Sequence, residues 1–311
     1  MKSLKTTLIV VTSAIVLTVA LVSTFLAYAF ARDAAQKIIL KDNLVTAQAL
    51  AKYLETRANM EIEVLSAMAV QPEMTDPTMS LADKAAFLSN IAAMDNQRIA
   101  YTVCDAQGNG YTNTGIDRDV SDRDNFREAI RGNNFVSDPI ESELRPGTMA
   151  ITYAVPIRDP NNNRITGAIL LEKDAQNVSS IVGEFVVGQT GGPFIVSRET
   201  GNTVAHKEYE RVQKGENVAS VAKTNKDFVE LSAHVTKAVN GETGTAVYNY
   251  MGQTYLMAYT PMDSINWSVL IRAPLAEFTE EIELMLKIMI VVAVILIAAG
   301  VGVAIFLGIS I

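Results

Sequence analysis

The protein has 311 residues, of which 49% are apolar and 19% are charged, and its mean hydropathy of +0.18 excludes both a disordered chain and one that lies wholly in a bilayer. Its net charge of −8 argues against nucleic-acid binding, which needs a basic face. One cysteine, Cys104, and two histidines, His206 and His234, rule out an internal disulfide, a cysteine-cluster metal site and a multi-histidine metal centre, and we predict no cofactor.

Two uncharged apolar segments lie near the ends of the chain. Residues 8–30 and residues 288–311 are each long enough, as helices, to cross the ~30 Å hydrocarbon core of a membrane. A cleaved signal peptide is the alternative for the first segment. Its apolar stretch is longer than a signal peptide needs, so an uncleaved anchor is favoured. We therefore predict two membrane spans.

The charges beside the first span predict the orientation of the chain. Lys2 and Lys5 lie in residues 1–7, which the positive-inside rule assigns to the cytoplasm. Residues 32–287 would then lie outside the cytoplasm as an acidic region, because they hold all 34 acidic side chains and all but two of the 26 basic ones. We expect the chain to be a fragment cut where the second span re-enters the cytoplasm. A complete ectodomain held by two anchors is the alternative.

Residues 31–72 predict a long stalk helix that continues directly from the first span. No glycine or proline occurs between residues 34 and 70, and apolar side chains recur at helical spacing. Pro72 is expected to end the helix. The apolar stripe of this stalk must cover a domain, a partner helix or both.

After the stalk, the same order of predicted elements occurs twice. Each copy begins with a hairpin that turns at Gly-Asn, at residues 108–109 and 201–202, and continues with a helix that ends at glycine. Two antiparallel strands then close each copy, which indicates two α+β modules in tandem. The predicted divisions are a membrane-distal module (residues 73–182), a membrane-proximal module (residues 183–276), a connecting helix (residues 277–287) and the second span (residues 288–311).

Four stretches of this sequence resemble the double Cache sensor domain. They are SDRDNFREAIRG (121–132), FVSDPIES (135–142), ITYAVPI (151–157) and ITGAILLEKDAQNVSSIV (165–182). The resemblance covers residues 33–286 and implies a long N-terminal helix with two tandem PAS-like antiparallel-sheet modules between two transmembrane helices. It also implies a homodimer in the bacterial inner membrane, joined through parallel stalk helices. Such domains are most often the inputs of methyl-accepting chemotaxis proteins, and less often of histidine kinases or cyclic-dinucleotide enzymes, and a HAMP segment would follow residue 311.

In the family that the sequence resembles, ligand usually binds the distal module near an Asp-Arg pair, here Asp122 and Arg123. A guanidinium group suits a carboxylate ligand, although Arg123 could instead latch its own loop. Amino-acid-binding members have a Trp-Tyr pair where this chain has Asn125 and Phe126, and they hold the ligand ammonium with an acid that falls at Glu172. The resemblance therefore implies a small carboxylate-bearing ligand, an amino acid or an organic acid, rather than a general amino-acid receptor.

Three further residues are candidates for the same pocket. Ser137 and Asp138 could line its entrance, or they could form an ordinary Ser-Asp-Pro turn. Tyr153 could offer its hydroxyl group, although a strand tyrosine is more often half-buried packing. The predicted ligand-binding set is thus Arg123, Asn125, Phe126, Ser137, Asp138, Tyr153 and Glu172.

The proximal module offers fewer signals. Its four tyrosines stand at alternating strand spacing: Tyr248, Tyr250, Tyr255 and Tyr259. Sheet packing is favoured for them over an aromatic pocket. We expect His206 and His234 at the surface, and Trp267 at the end of the module nearest the membrane. Cys104 is expected to be an inert core residue.

No enzyme motif is found. The sequence has no Gly-x-Ser-x-Gly, His-Glu-x-x-His or phosphate-binding loop. It therefore predicts a sensor in which a small ligand shifts the connecting helix and, through it, the second span. A membrane-tethered binding module without signalling is the alternative.

Overall fold

The structure is a computed structural model that describes residues 4–92 and 98–310. Helix α1 (Leu4–Ala69) is a single helix of 66 residues, about 100 Å long, that holds the whole first apolar segment and most of the predicted stalk. It ends before Pro72, which opens the short helix α2 (Pro72–Thr75). Proline suits this position because an amide in the first turn has no acceptor within the helix.

The distal module is built on one antiparallel sheet. Its elements are α3 (Leu81–Ala92), β1 (Arg98–Asp105), β2 (Asn109–Thr112), β3 (Asp117–Asp119), α4 (Asp124–Ile130), β4 (Phe135–Val136), β5 (Ile140–Glu141), β6 (Met149–Arg158), β7 (Ile165–Asp174) and α5 (Gln176–Glu184). The strand order is β3-β2-β1-β7-β6-β4, and β5 pairs with β6.

The proximal module repeats this plan. Its elements are β8 (Gly192–Ser197), β9 (Thr203–His206), α6 (Glu210–Gln213), α7 (Val218–Ala222), a 3-10 turn (Lys226–Phe228), α8 (Val229–Val239), β10 (Gly244–Tyr250), β11 (Gln253–Pro261) and β12 (Trp267–Pro274). The strand order is β10-β11-β12-β8-β9. Helix α9 (Ala276–Ser310) follows β12 and runs for 35 residues. The predicted α+β fold of a long helix and two antiparallel modules is confirmed.

The repeated Gly-Asn turns fold as the sequence predicts. Gly108 and Gly201 have φ values of +94° and +74°, in the left-handed region that favours glycine. At Gly108 a Cβ atom would also lie 2.6 Å from the Cβ of Ser121, so no larger residue fits without a shift. Each turn therefore joins the first two strands of its module tightly.

Each sheet has one face against α1 and one face beneath its own helix. Buried residues of both sheets, such as Ile151 and Ile271, form one core with Leu50 and Leu65 of α1. On the opposite faces, α4 covers the distal sheet and α8 covers the proximal sheet. Because side chains alternate along a strand, neighbouring residues in β7 or β12 belong to different faces.

Helix α1 buries one side and exposes the other. The exposed side carries an apolar stripe of four large side chains: Ile38, Val45, Tyr53 and Met60. Towards the membrane, α1 and α9 lie against each other. Each contains a stretch long and apolar enough to span a membrane, within Ala14–Ala69 and Ala276–Gly300.

Candidate functional site

A buried ion pair lies beneath α4 in the distal module. Glu172 on β7 is 4% exposed, and its Oε1 lies 2.6 Å from Nη1 of Arg118 on β3. Its Oε2 accepts a hydrogen bond of 2.7 Å from the Ser142 hydroxyl group. A carboxylate buried this deeply needs such partners, because an unpaired charge costs several kcal/mol in the interior. Glu172 is therefore already compensated by the chain itself.

A second carboxylate joins this pair to Arg123. Arg123 stands at the N-terminus of α4, and its Nη2 lies 2.5 Å from Oε1 of Glu143. The other Glu143 oxygen lies 3.5 Å from Nη2 of Arg118. The two arginine side chains are 17% and 6% exposed, whereas that of Glu143 is 68% exposed. Glu143 thus closes the solvent side of two guanidinium groups.

Arg118 and Glu143 were not among the residues predicted from the sequence. Arg118 lies between two exposed aspartates, in the alternating segment Asp117–Asp119. This alternation was the available signal, because it places the arginine alone on the sheet face. Glu143 lies in a loop, and no periodicity marks it.

Asn125 and Phe126 lie on α4 directly over the sheet. Phe126 is 5% exposed and packs with Cys104, Ala154 and Leu170, so it fills the core beneath the helix. The Oδ1 of Asn125 accepts a 2.7 Å hydrogen bond from the Phe126 amide. Burial raises the pKa of the Cys104 thiol to about 12, as expected for an inert core residue.

Ser137 and Asp138 lie where the two modules meet. The Ser137 hydroxyl group accepts from the Thr152 amide at 2.9 Å and donates to the Asp138 carbonyl at 2.8 Å. The Asp138 carboxylate accepts from Nε1 of Trp267 at 2.9 Å and from the Thr200 hydroxyl group at 3.1 Å. Trp267 is therefore at the end of the proximal module that contacts the distal module, and its predicted position near the membrane is wrong.

Tyr153 lies on the other face of the distal sheet. Its neighbour Thr152 pairs with Glu172, so alternation turns Tyr153 towards α1. There it lines a cavity of about 40 Å³ that also touches Glu61 and Lys173, whose charged groups are 2.7 Å apart. Burial raises the pKa of Tyr153 above its ordinary value. The structure does not bring this tyrosine together with Arg123 and Glu172.

The histidine expectation is wrong for one of the two residues. His206 ends β9 with 7% of its surface exposed. Burial, followed by the nearby Arg211, lowers its pKa to about 4. His234 on α8 is half-buried. His206 is paired across the sheet with Phe194, whose ring centre is 6.2 Å away.

Comparisons with known proteins agree with this architecture. The extracellular domain assigned to the histidine kinase mmHK1S-Z2 has a TM-score of 0.62 at 13% identity, over 78% of this chain and 99% of that one. The sensory domain of the Campylobacter jejuni chemoreceptor Tlp3 with isoleucine bound gives 0.59 at 14%, over 80% and 98%. The ligand-binding domain of the Pseudomonas fluorescens chemoreceptor CtaA with L-serine gives 0.57 at 17%, over 78% and 98%.

No curated protein matches the sequence significantly. The family comparison is decisive, because the dCache_1 profile, described as a Cache domain, matches residues 28–282. This range takes in both sheets, the stalk part of α1 and the start of α9. The chain belongs to the Cache domain family, in its double form, and residues 28–282 are an extracytoplasmic sensory domain.

Proposed function

We propose that this protein is the extracytoplasmic input of a chemoreceptor, and that it binds a small organic acid in the distal module. The observation that carries this proposal is the carboxylate of Glu143, which lies between Arg118 and Arg123. Planar guanidinium groups bind carboxylates well. Because the Glu143 side chain is 68% exposed, a ligand carboxylate can displace it and bind the guanidinium groups of both arginines.

The state of Glu172 favours an organic acid over an amino acid. Its two oxygens are already bound by Arg118 and Ser142, so a ligand ammonium would have to displace the arginine. The Tlp3 and CtaA domains were solved with isoleucine and serine. Their ligands support a carboxylate-bearing molecule, whereas the Arg118–Glu172 pair supports one without an amino group.

The first test compares matched ligands on the full chain in detergent. Lactate with alanine, and malate with aspartate, differ mainly by a hydroxyl group in place of the amino group. At 100 times its dissociation constant a ligand stabilises the protein by about 2.7 kcal/mol, which a thermal-shift assay resolves. We expect a hydroxy acid to raise the melting temperature more than its amino acid. Equal shifts for both members of each pair would contradict the role given to Glu172.

Substitutions in the distal module test whether the ligand binds there. Glu143→Gln removes the internal competitor, so affinity for the acid should rise about two- to fivefold, the value of an exposed ion pair. Glu141→Gln is the matched control, since Glu141 ends β5 two residues before Glu143 and its carboxylate accepts from the Gly147 amide instead. Arg123→Gln should weaken binding about tenfold or more. Unchanged affinity in both Glu143→Gln and Arg123→Gln would move the ligand elsewhere.

The protein is proposed to act by binding and transmission rather than by catalysis. The ligand would shift the distal module against α1, and the shift would reach α9 through the proximal module. A chemoreceptor output is tested by fusing residues 1–311 to the cytoplasmic part of a chemoreceptor and, in parallel, of a histidine kinase. We expect the acid to change swimming behaviour in the first fusion. A response confined to the kinase fusion would favour the alternative output.

A further inference from the structure

The two modules carry opposite charges at one equivalent position. Glu172 lies two residues before the end of β7, and Arg272 lies two residues before the end of β12. Each of these strands is the last one of its module in chain order. Glu172 alternates with Leu170 on the face beneath α4, and Arg272 alternates with Leu270 on the face beneath α8. The proximal module therefore presents an arginine where the distal module presents a glutamate.

Arg272 is held by aromatic rings rather than by an acid. Its guanidinium carbon lies 4.9 Å from the ring centre of Tyr250, 5.6 Å from that of Tyr255 and 5.7 Å from that of Phe194. These distances are typical of cation–π contacts. Within residues 4–92 and 98–310 Arg272 forms no ion pair, in contrast to Arg118 and Arg123. Burial raises the pKa of the nearby Tyr248 hydroxyl group, and Arg272 partly offsets that rise, so the two groups are close together. An anion would therefore share the guanidinium group with a neutral hydroxyl group and would not have to displace an acid.

A cavity of about 210 Å³ opens beside this arginine. Among the residues that line it are Thr190, Gly191, Phe194, Lys207, Tyr255 and Arg272. A Cβ atom at Gly191 would lie 2.6 Å from the carbonyl oxygen of Arg272, so this glycine lets the turn approach β12 closely. Since a water molecule takes about 30 Å³ of the liquid, the cavity holds a molecule of a few heavy atoms up to a small ring.

The charged groups around the cavity leave one cation, Arg272, without an ion pair among the described residues. Arg211 binds both nearby acids, at 2.8 Å to Glu208 and 2.6 Å to Glu216. Lys207 lies near the Glu277 carboxylate: burial raises the pKa of this group, but hydrogen bonds from residues 189 and 190 and the charge of Lys207 lower it overall. His206 is neutral at neutral pH, because burial holds its pKa near 4. Arg211, Lys207 and Arg272 thus balance Glu208, Glu216 and Glu277, and Arg272 is the cation of this group that lies against aromatic rings instead of a carboxylate.

We propose that the proximal module binds a small monocarboxylate on Arg272, in the cavity between β12 and residues 190–192. The guanidinium group would bind the carboxylate, Lys207 would add a second positive charge at the rim, and the rings of Phe194 and Tyr255 would contact the apolar part of the ligand. The proposal does not depend on the ligand of the distal module.

The position of this site connects it directly to the output helix. Residue 272 lies four residues before Ala276, where α9 begins. On the other side of the cavity, the amides of Gln189 and Thr190 donate to the Glu277 carboxylate in the first turn of α9, at 2.6 Å and 3.2 Å. The Thr190 hydroxyl group also donates to Glu277. A ligand between Arg272 and this turn would therefore act on α9 in two ways, through its chain connection to β12 and through the hydrogen bonds of Glu277.

The test uses the full chain in detergent with sodium propionate and sodium benzoate as probes. Propionamide and benzamide have nearly the same shape without the charge, and they are the control ligands. We expect at least one acid, and neither amide, to raise the melting temperature at concentrations up to about 10 mM. Arg272→Gln should weaken binding about tenfold or more, and Arg272→Lys should weaken it less. The distal variant Arg123→Gln should retain the acid binding that Arg272→Gln loses, which separates the two sites.

A second variant covers the case in which Arg272→Gln does not fold. Lys207 is exposed at the rim, where its ammonium group donates to the Thr190 carbonyl at 2.8 Å. Lys207→Gln should keep the melting temperature of the free protein and weaken acid binding about threefold to tenfold. The proposal is overturned if neither acid binds the wild type, if the amides bind equally, or if Arg123→Gln rather than these variants abolishes binding. The last result would leave only the distal site.

Discussion

His206 shows how one buried side chain makes stability depend on pH. Its pKa is lowered from 6.5 to about 4, first by burial and then by Arg211. Glu208 acts in the opposite direction, and Arg272 and Lys207 lower the pKa slightly more. Between these two pH values the unfolded chain binds a proton that the folded chain does not. This residue's contribution to stability is therefore present above pH ~6.5 and falls as the pH drops towards 4.

The His206→Gln variant should remove this dependence. We expect the free energy of unfolding of the wild type to fall by about 1–2 kcal/mol more than that of the variant between pH 7 and pH 4.5. Urea unfolding of both proteins across this range measures the difference. His234→Gln is the comparison variant: burial also lowers the pKa of this half-buried histidine on α8, but less than that of His206, so its removal should change the pH profile less. Parallel pH profiles for the wild type and His206→Gln would show that the histidine is protonated without cost.

At the same scale, the sequence was informative where chemistry is local and uninformative where it depends on long-range pairing. Arg123 and Glu172 were predicted from the family resemblance of the local stretches around them, and both belong to the charged cluster of the distal module. Tyr153 was grouped with them, yet it lies on the other sheet face, because its orientation depends on a strand register that no local pattern sets. Arg272 looks like any charged strand residue until Phe194 and Tyr250 are brought around it.

The elements were predictable to within a few residues. The glycine-terminated helices and the Gly-Asn turns have local causes, in the left-handed conformations at Gly132 and Gly241 as well as in the hairpins. Helix α1 ends at Ala69, just before Pro72 as predicted, but the sequence did not predict that Pro72 would also start the short helix α2. The predicted homodimer depends on a contact between the stalk helices of two protomers, and it stays a prediction. The exposed apolar stripe of α1 is where it can be tested.

We expect the stripe of Ile38, Val45, Tyr53 and Met60 to form the contact between two stalks. The double variant Val45→Lys/Met60→Lys places charges in that contact and should weaken the dimer at least about tenfold. Light scattering of the full chain in detergent measures the mass. Gln48→Lys is the control, because Gln48 is exposed but lies about 80° around the helix from Ile38.

Cross-linking offers an independent check of the same contact. Because Cys104 is 1% exposed, Val45→Cys would introduce a readily accessible thiol. A disulfide-linked dimer should form in membranes from Val45→Cys and not from Gln48→Cys. Equal cross-linking at both positions, or a monomer in the wild type, would contradict the assignment of the stripe.

At the scale of the whole molecule, Asp138 holds the two modules together. Its carboxylate binds Trp267 and Thr200 from the proximal module. The Asp138→Asn variant keeps one acceptor and loses the charge, so we expect a loss of about 1–2 kcal/mol in the free energy of unfolding. Trp267 is the single tryptophan and is 3% exposed. Its fluorescence should therefore shift to longer wavelength as the junction loosens.

Asp122→Asn is the control for the junction. Asp122 is exposed in the same module, so the variant changes the same charge without touching Trp267. A red shift in both variants, or in neither, would show that the environment of Trp267 does not depend on the Asp138 carboxylate. The contact of Asp138 with the proximal module could not be predicted from the sequence, because Ser-Asp-Pro is typical of an ordinary turn and no local pattern indicates a partner for it.

The attachment of Glu277 in the first turn of α9 has a geometric consequence for the membrane. Helix α9 continues from there to Ser310 without a break, and no glycine or proline occurs in it before Gly300. A continuous helix turns by about 100° and advances about 1.5 Å for each residue. The number of residues between Glu277 and the bilayer therefore sets the azimuth at which the second span faces the first. One residue gained or lost there would reorient the span by more than a quarter of a turn while moving it along its axis by less than the width of an atom.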